Sequence, residues 1–132
     1  MLGFLLPSVD LGQRGEAIAA RHLKRHGLRI VARNFRSRSG EIDIVAADGM
    51  GLVFVEVKSA TGGGRDPLGK VDPGKVRRIR RAAARCRRAV GGGFEACRID
   101  AVVVRFRRGA GGRPGAADIR WYPALYPVDD RD

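Results

Sequence analysis

Residues 41–58 read EIDIVAADGMGLVFVEVK, and this stretch decides the fold. Both halves are rich in β-branched residues and alternate between apolar and other positions with period two, as strands do. Asp48-Gly49 between the halves is typical of a hairpin, and Met50-Gly51 extends the loop beyond the two-residue form. The sequence therefore predicts two neighbouring antiparallel strands.

Ionisable side chains lie at one end of this apolar hairpin. Because side chains alternate along a strand, Glu56 and Lys58 share a face with Leu52 and Phe54. Asp43 shares a face with Glu41 and Val45, opposite Ile42, Ile44 and Ala46. Charged groups are seldom buried unpaired. We therefore expect these groups to pair with each other, to hold a metal, or to lie at an open sheet edge.

The composition indicates one domain with a polyanionic partner. At 132 residues the chain can form one core, and we expect a flexible tail at 1–9, a domain at 10–122 and an irregular tail at 123–132. The 26 Lys and Arg residues exceed the 14 Asp and Glu residues, giving a formal charge of +12. This excess favours a nucleic-acid partner over a membrane. The alternative is compositional bias, because the basic residues are mostly Arg.

The cysteines and the amino-terminal segment favour a cytoplasmic protein. Cys86 and Cys97 lack metal-type spacing and are expected to be small buried hydrophobes in a reducing compartment. Residues 1–7 are apolar, but they lack a basic start and are too short for a secretory signal. No run approaches the length of a transmembrane helix.

The first predicted helix begins after Asp10, its N-cap, and runs from Leu11 to about His26. Glu16 lies on its inward face, either as a boundary carboxylate paired with an Arg or as a site residue. Gly15 would let another chain segment approach closely, and we expect the same of Gly12. The inward face at helical spacing consists of Gly12, Glu16, Ala19 and Leu23.

A strand and a basic loop follow. Residues 28–33 alternate as a strand, and residues 34–40 are expected to form a loop that carries Arg36 and Arg38. The two arginines are either solvated or in contact with a nucleic-acid backbone.

The second helix is the most basic element. Residues 59–72 are glycine-rich without a P-loop pattern, and Asp72 is expected to cap a helix from Pro73 to about Val90. Its apolar stripe consists of Val76, Ile79, Ala83, Cys86 and Val90. A solvated face is the usual meaning of such a charge run, but the near absence of acids favours a polyanion-binding face. The candidates for nucleic-acid contact are Lys75, Arg77, Arg78, Arg80 and Arg81.

Two more strands complete the chain. Residues 98–106 alternate as a strand, and residues 117–122 are expected to form an edge strand that Pro123 ends. The order is α-β-β-β-α-β-β. A hairpin followed by a crossover helix predicts an α/β fold with a mixed sheet covered on both faces.

The hairpin residues permit metal-dependent phosphate chemistry. Asp43 and Glu56 on paired strands would lie close together, and two such carboxylates repel unless they are protonated or bridged by a cation. Oxygen ligands of this kind suit Mg²⁺ or Mn²⁺. Lys58 would position water and offset negative charge at a phosphate, and Glu16 would reach the same site. The alternative is a solvated salt bridge between Lys58 and Glu56 or Asp43.

Several motifs together resemble the YraN family of uncharacterised bacterial proteins, from about Gly12 to Val104. They are Gly12-x-x-Gly15-Glu16-x-x-Ala19, Asn34-Phe35-Arg36, Gly40-Glu41-Ile42-Asp43, Phe54-Val55-Glu56-Val57-Lys58, Lys75 and Arg98-x-Asp100. That family is similar to the restriction-endonuclease-like PD-(D/E)xK nucleases, and to archaeal Holliday-junction resolvases in particular. The resemblance implies a three-layer sandwich with a mixed sheet flanked by helices.

The resemblance also implies roles for individual residues. Asp43, Glu56 and Lys58 match the nuclease motif, and Glu16 matches the glutamate of the first helix in resolvases. Mg²⁺ or Mn²⁺ is then expected at Asp43, Glu56 and Val57. The chain departs from the pattern where Ile42 stands in place of Pro and where Ala60 stands in place of a usual Arg.

Three functions remain open at this point. The first is a Mg²⁺-dependent endonuclease acting on DNA, including branched DNA, for which a homodimer would suit a two-fold junction. The second is a DNA- or RNA-binding accessory protein without catalysis on the same fold. The third is a small interaction protein whose positive charge has no function. Such a protein would not stay bound to nucleic acid at moderate salt.

Overall fold

The computed structural model describes residues 11–63, 73–90, 96–107 and 117–126. The expected order of elements is confirmed. The elements are α1 (Leu11–Arg25), β1 (Arg29–Ser37), β2 (Gly40–Ala47), β3 (Gly51–Thr61), α2 (Pro73–Val90), β4 (Ala96–Phe106) and β5 (Ala117–Tyr126). Within these ranges, no helix combines the length and the apolar character needed to cross a membrane.

The five strands form one mixed sheet in the order β1-β2-β3-β4-β5. Only β3 and β4 pair in parallel; the other neighbours are antiparallel. Parallel neighbours need a long crossover, and the chain between β3 and β4 contains α2. The predicted mixed sheet is confirmed.

The two helices cover opposite faces of the sheet. On one face α2 packs against Val45, Leu52 and Phe54, and on the other face α1 packs against Val53 and Val55. The predicted apolar stripe of α2 is buried against the sheet at Val76, Ile79, Ala83 and Cys86. The side chain of Val90 lies outside the described residues. Three layers result, with the central strands apolar on both faces, as a covered sheet requires.

The predicted loop at residues 34–40 is largely strand. β1 continues to Ser37, and only Arg38 and Ser39 form the turn to β2. Asn34 has a φ of 54°, in the left-handed region that Asn tolerates better than most residues. This residue interrupts the period-two pattern, which is why the sequence reads as a loop there. β3 is likewise longer than predicted, because residues 59–61 continue the strand.

The prediction that Pro123 ends the last strand is wrong. β5 runs to Tyr126, with an irregularity between the pairs Ile99–Tyr126 and Ala101–Tyr122. Pro123 falls within this bulge, where its missing N–H removes no ladder bond. Ala124 has a φ of 52°, and its N–H donates to Asp100 Oδ1 at 2.8 Å. β5 is an edge strand, as predicted.

Asp100 is fully buried and joins β5 to the neighbouring strands. Besides the Ala124 N–H, Trp121 Nε1 donates to its Oδ2 at 2.9 Å, and Arg98 Nε donates to its Oδ1 at 3.1 Å. Arg98 also reaches Asp48 in the β2–β3 turn, at 2.9 Å from Nη1 to Oδ2. A buried carboxylate is tolerated here because each of its oxygens accepts hydrogen bonds.

Gly15 allows α1 to approach β3 closely. A Cβ at this position would overlap Ser59 Oγ and lie 3.3 Å from Ser59 Cβ. The Ser59 hydroxyl is buried, and no described residue forms a hydrogen bond with it. Gly12, by contrast, is exposed and does not contribute to the buried face that the sequence predicts for it.

We expect Gly15→Ala to lower the free energy of unfolding by about 1–3 kcal/mol, because the added methyl group overpacks the contact with Ser59. Gly12→Ala is the matched control on the same helix, and the better helix propensity of Ala should stabilise that variant by up to about 1 kcal/mol. Urea unfolding measures both variants. If Gly15→Ala stabilises the protein as Gly12→Ala does, the close packing of α1 on β3 is contradicted.

Candidate functional site

A cleft opens where β2 and β3 separate. Their last pair at this end is Ile44–Val55. Beyond it β2 stays with β1 as far as Gly40, whereas β3 stays with β4 as far as Thr61. The cleft has a volume of about 330 Å³ and is lined by residues 40–43, by residues 54–58 and by Lys75, Arg78 and Ile79 of α2. Asp43, Glu56 and Lys58 therefore line one cleft.

Asp43 bridges the gap between the separating strands. Its Oδ2 accepts a hydrogen bond from the Val57 N–H at 2.8 Å, where a backbone carbonyl would continue the ladder. Burial raises the pKa of Asp43 above its usual value, and the nearby carboxylates of Glu56 and Glu41 raise it further. The hydrogen bond from Val57 and the charge of Lys58 only partly offset this rise. The cleft thus holds a carboxylate whose charge is costly.

Glu56 is buried on the face of the sheet that α2 covers. Its Oε1 lies 3.0 Å from Lys58 Nζ and also contacts Lys75 Nζ. Burial by itself lowers the pKa of Lys58, but its hydrogen bond to Glu56 and the charges of Glu56 and Asp43 outweigh burial and raise the pKa. Lys58 is therefore a protonated donor at neutral pH. The salt bridge expected as the alternative to a site is present, but it lies inside the cleft with Asp43.

Glu16 lies on α1, in the opposite layer, and does not line the cleft. The side-chain amide of Asn34, oriented with its nitrogen towards Glu16, donates to both carboxylate oxygens at 3.1 and 3.3 Å. Arg33 Nη2 lies 3.8 Å from Glu16 Oε2. Burial raises the pKa of Glu16, and the charge of Asp43 adds to the rise. Glu16 is thus both a boundary carboxylate paired with an Arg and an electrostatic neighbour of Asp43.

The predicted alternation in β2 fails at Ile42. Ile42 packs in the α2-side cluster with Val45, and Phe35 of β1 packs against the same cluster. The expectation that Ile42 lies opposite Val45 is therefore wrong. The break falls where β2 leaves β3 and where Asn34 has a left-handed φ between the pairs Arg33–Ile44 and Phe35–Ile42. A local change of backbone direction shifts the phase of a period-two pattern.

The main chain of Val57 borders the same gap. In an extended strand the N–H and C=O of one residue point to the same edge, and the Val57 N–H points to Asp43. The Val57 carbonyl is therefore directed towards the edge of β3 from which β2 has departed. The role of Val57 as a metal ligand, which the resemblance implies, stays a prediction.

The residues of the cleft fit a hard divalent cation with few protein ligands. Within the described ranges, no three His, Cys, Asp or Glu side chains converge to form a metal site, so Glu16 does not complete one. Mg²⁺, however, usually keeps several waters and binds through one or two carboxylates together with phosphate oxygens of a substrate. Asp43 and Glu56 supply such a pair. The two ammonium groups at Glu56 also mark this carboxylate as a position for positive charge.

The predicted nucleic-acid contacts fall into three environments. Arg77, Arg78 and Arg81 are exposed on α2, and Arg78 also lines the cleft. Arg80 is half-buried, and Lys75 points into the cleft to Glu56. Basic side chains recur every three or four residues along one side of α2 from the cleft outwards, a stripe formed by Lys75, Arg78, Arg81, Arg85 and Arg88.

Arg36 and Arg38 are exposed on the β1–β2 hairpin. Arg36 Nε lies 3.6 Å from Glu41 Oε1 on the neighbouring strand. The hairpin end lies against α2, because a Cβ built on Gly40 would be 3.4 Å from the Arg78 carbonyl oxygen. The two arginines therefore extend from the same region as the stripe.

Sequence reasoning missed the residues that hold Glu16. Arg33 and Asn34 were assigned to the end of a strand and the start of a loop, yet both contact the Glu16 carboxylate. The available signal was Asn34 itself, because Asn is enriched at left-handed positions that reorient a strand. Sequence reasoning also gave no role to Trp121, which donates to buried Asp100.

Comparison with known proteins identifies a family. The model of the uncharacterised protein family UPF0102 matches residues 15–104. A UPF0102 protein of Mycolicibacterium vanbaalenii is 45% identical over 103 residues, which cover 75% of this chain and 83% of the relative. One from Anaeromyxobacter dehalogenans is 43% identical over 122 residues, covering 92% and 87%. One from Mycobacterium avium is 47% identical over 103 residues, covering 76% and 80%.

The matched region contains Glu16, the hairpin with Asp43, Glu56 and Lys58, and all of α2. It spans more than half of the chain, and the relatives are matched over most of their own length. The resemblance to the YraN family is confirmed, and the chain belongs to the uncharacterised protein family UPF0102.

Proposed function

We propose that this protein is a Mg²⁺-dependent endonuclease that cleaves DNA, including branched DNA. The observation that carries the proposal is the convergence of Asp43, Glu56 and Lys58 in one cleft at the start of a basic helix. The order of these residues along the chain is similar to that of the PD-(D/E)xK motif. Paired carboxylates beside a protonated lysine suit the hydrolysis of a phosphodiester.

The proposed mechanism assigns a separate task to each side chain. Asp43 and Glu56 would hold the divalent cation, with the Val57 carbonyl beside them. When bound, Mg²⁺ supplies Lewis acidity to the scissile phosphate and lowers the pKa of water at the site. Lys58 donates to a non-bridging phosphate oxygen and offsets the negative charge that grows there. Glu16, whose pKa is raised by burial, would reach in from α1 to orient the attacking water and accept its proton. The water oxygen forms a bond to phosphorus as the bond from phosphorus to the departing sugar oxygen breaks, and that oxygen takes up a proton from solvent.

The basic stripe of α2 would hold the nucleic-acid backbone in register with the cleft. α2 contains seven Arg and one Lys between Pro73 and Val90 and no acidic residue. Arg78 belongs both to the stripe and to the lining of the cleft. Arginine binds phosphate in a bidentate manner. A strand bound along the stripe therefore places one phosphate at the cleft.

A second function, nucleic-acid binding without cleavage, is favoured by one contact. Glu56 Oε1 already interacts with two ammonium groups, so its charge is balanced by side chains of the protein itself. A cleft that never exchanges these lysines for a metal would bind phosphate and leave it intact. The two functions differ in the cleft and share the basic stripe.

We expect Asp43→Ala and Glu56→Ala each to lower the single-turnover rate of DNA cleavage by about 100-fold, because each removes a ligand of the proposed cation. The assay incubates purified protein with branched, duplex and single-stranded DNA in the presence of Mg²⁺ or Mn²⁺. Asp118→Ala is the matched control. Asp118 lies on the edge strand β5, where its exposed carboxylate pairs with Arg107. Its rate should match that of the wild type.

Cleavage that survives both Asp43→Ala and Glu56→Ala would place the activity elsewhere. Binding without cleavage on every substrate and with either metal would select the second function.

We expect replacement of Arg77, Arg78, Arg80 and Arg81 by Gln to weaken DNA binding and to flatten its salt dependence. Each lost contact with a phosphate should reduce the log–log slope by about 0.9. The matched control changes the same net charge on the other side of the molecule, at exposed Arg21, Lys24, Arg25 and Arg29. Fluorescence anisotropy over a salt series measures both variants. An equal loss of affinity in the two variants would mean that net charge, and not the basic surface of α2, binds DNA.

We expect Asp43→Asn to raise the melting temperature at pH 8 in the presence of a chelator. Burial raises the pKa of Asp43 in the folded state above its usual value of 3.8. The cost of the charged form is therefore absent below pH 3.8 and complete once the pH exceeds the raised pKa. The gain from Asn should shrink as the pH falls towards 3.8. Thermal unfolding at several pH values measures it.

Asp118→Asn is the control in which we expect the opposite change in melting temperature at pH 8. The hydrogen bond from Arg107 lowers the pKa of Asp118, so the folded protein favours its charged form. If Asp43→Asn destabilises the protein at pH 8, Asp43 supports the fold and is not a poised ligand.

A further inference from the structure

Two ammonium groups share one carboxylate oxygen in the cleft. Lys58 Nζ and Lys75 Nζ both contact Glu56 Oε1, and the Glu56 side chain is only 9% exposed. In the proposed function this carboxylate is also a ligand of the divalent cation. Two ammonium groups and a divalent cation around one carboxylate repel one another strongly at such distances. One ammonium group must leave when the metal enters.

The two lysines have similar exposure and differ in where their backbone lies. Lys58 lies on β3 two residues from Glu56, its backbone is fixed by the paired strands, and its side chain is 33% exposed. Lys75 lies in the first turn of α2, in another layer of the fold, and its side chain is 39% exposed. A lysine side chain has four rotatable bonds and can leave an ion pair for solvent without any backbone change. The proposed function assigns Lys58 to the scissile phosphate, so Lys75 is the group that we expect to leave.

The cleft offers a second position for the Lys75 ammonium group, beside Arg78. Lys75 and Arg78 are three residues apart on one side of α2, and both line the cleft. Away from Glu56, the Lys75 ammonium group would join Arg78 at the mouth of the cleft, where the basic stripe begins. A phosphate at this point would meet both cations.

We propose that Lys75 holds the place of the divalent cation. In the metal-free protein its ammonium group neutralises Glu56, and on metal binding it moves to the phosphate of the nucleic acid beside Arg78. Lys75 is thus a positioning residue that couples metal binding to phosphate binding. This inference rests on the proposed function, because it assumes that Asp43 and Glu56 bind a divalent cation.

Calorimetric titration with Mn²⁺ in the absence of DNA tests the competition. Lys75→Met keeps the aliphatic stem and removes the charge, so we expect it to bind Mn²⁺ about tenfold more tightly than the wild type, or about 1.4 kcal/mol. Lys24→Met is the matched control, because it removes one ammonium group exposed on α1, away from the cleft, and should leave Mn²⁺ affinity unchanged. Melting temperatures measured alongside verify that each variant is folded.

A labelling experiment on the wild-type protein follows Lys75 directly. Acetic anhydride modifies free amines, so acetylation of Lys75 measured by mass spectrometry should increase severalfold when Mn²⁺ is added. Lys24, exposed on α1, should not respond. In Asp43→Asn the Mn²⁺ effect on Lys75 should be lost.

The outcomes separate the inference from the proposed function. If the wild type binds Mn²⁺ through Asp43 but Lys75→Met binds it equally or more weakly, the place-holding role is overturned and the metal site stands. If neither protein binds Mn²⁺, the metal-dependent function fails and the inference fails with it. If only Lys75→Met binds Mn²⁺, the competition is supported in its strongest form.

Discussion

The hydrogen bond from the Val57 N–H to Asp43 Oδ2 is the constraint on which the site depends. Two antiparallel strands cannot separate inside a covered sheet without leaving backbone groups unpaired, and each unpaired buried group costs about 1–3 kcal/mol. The Asp43 side chain supplies the missing acceptor at the first position after the Ile44–Val55 pair. The same bond that allows the strands to part also fixes a carboxylate at the mouth of the cleft.

Two carboxylates of the sheet lie in opposite environments, one on β2 and the other on β4, on either side of β3. Asp100 accepts hydrogen bonds from Arg98, Trp121 and the Ala124 N–H, and these bonds join β4 to β5. Asp43 accepts one hydrogen bond from the described residues, and its pKa is raised by burial and by neighbouring carboxylates. Natural proteins tolerate such a cost mainly where function requires it. The contrast sets Asp43 apart from Asp100 as the carboxylate whose charge is poorly compensated.

The sequence was sufficient to predict which face each side chain occupies wherever the backbone is regular. Period two placed Glu56 and Lys58 on one face of β3, and the helical period identified the buried stripe of α2. Prediction from periodicity failed at Ile42 and at Pro123. Near Ile42 the left-handed residue Asn34 changes the course of the backbone, and near Pro123 the bulge at Ala124 does so, and a periodic pattern records neither change. Lys75 was assigned to the phosphate-binding face, but its contact with Glu56 joins α2 to β3, and a contact between distant segments has no periodic signature.

α2 joins the core, the cleft and the charged surface in one rigid element. Val76 and Ile79 on its apolar side pack against the sheet, and this packing keeps the first turn of α2 close to the cleft. Arg78 and Lys75 are therefore held at the cleft by packing that involves neither of their charges. The helix can carry seven arginines with no acid to balance them because burial of its apolar side offsets the repulsion among them. A polyanion along the stripe would relieve that repulsion, and it would do so next to Asp43, whose own charge is costly in the cleft.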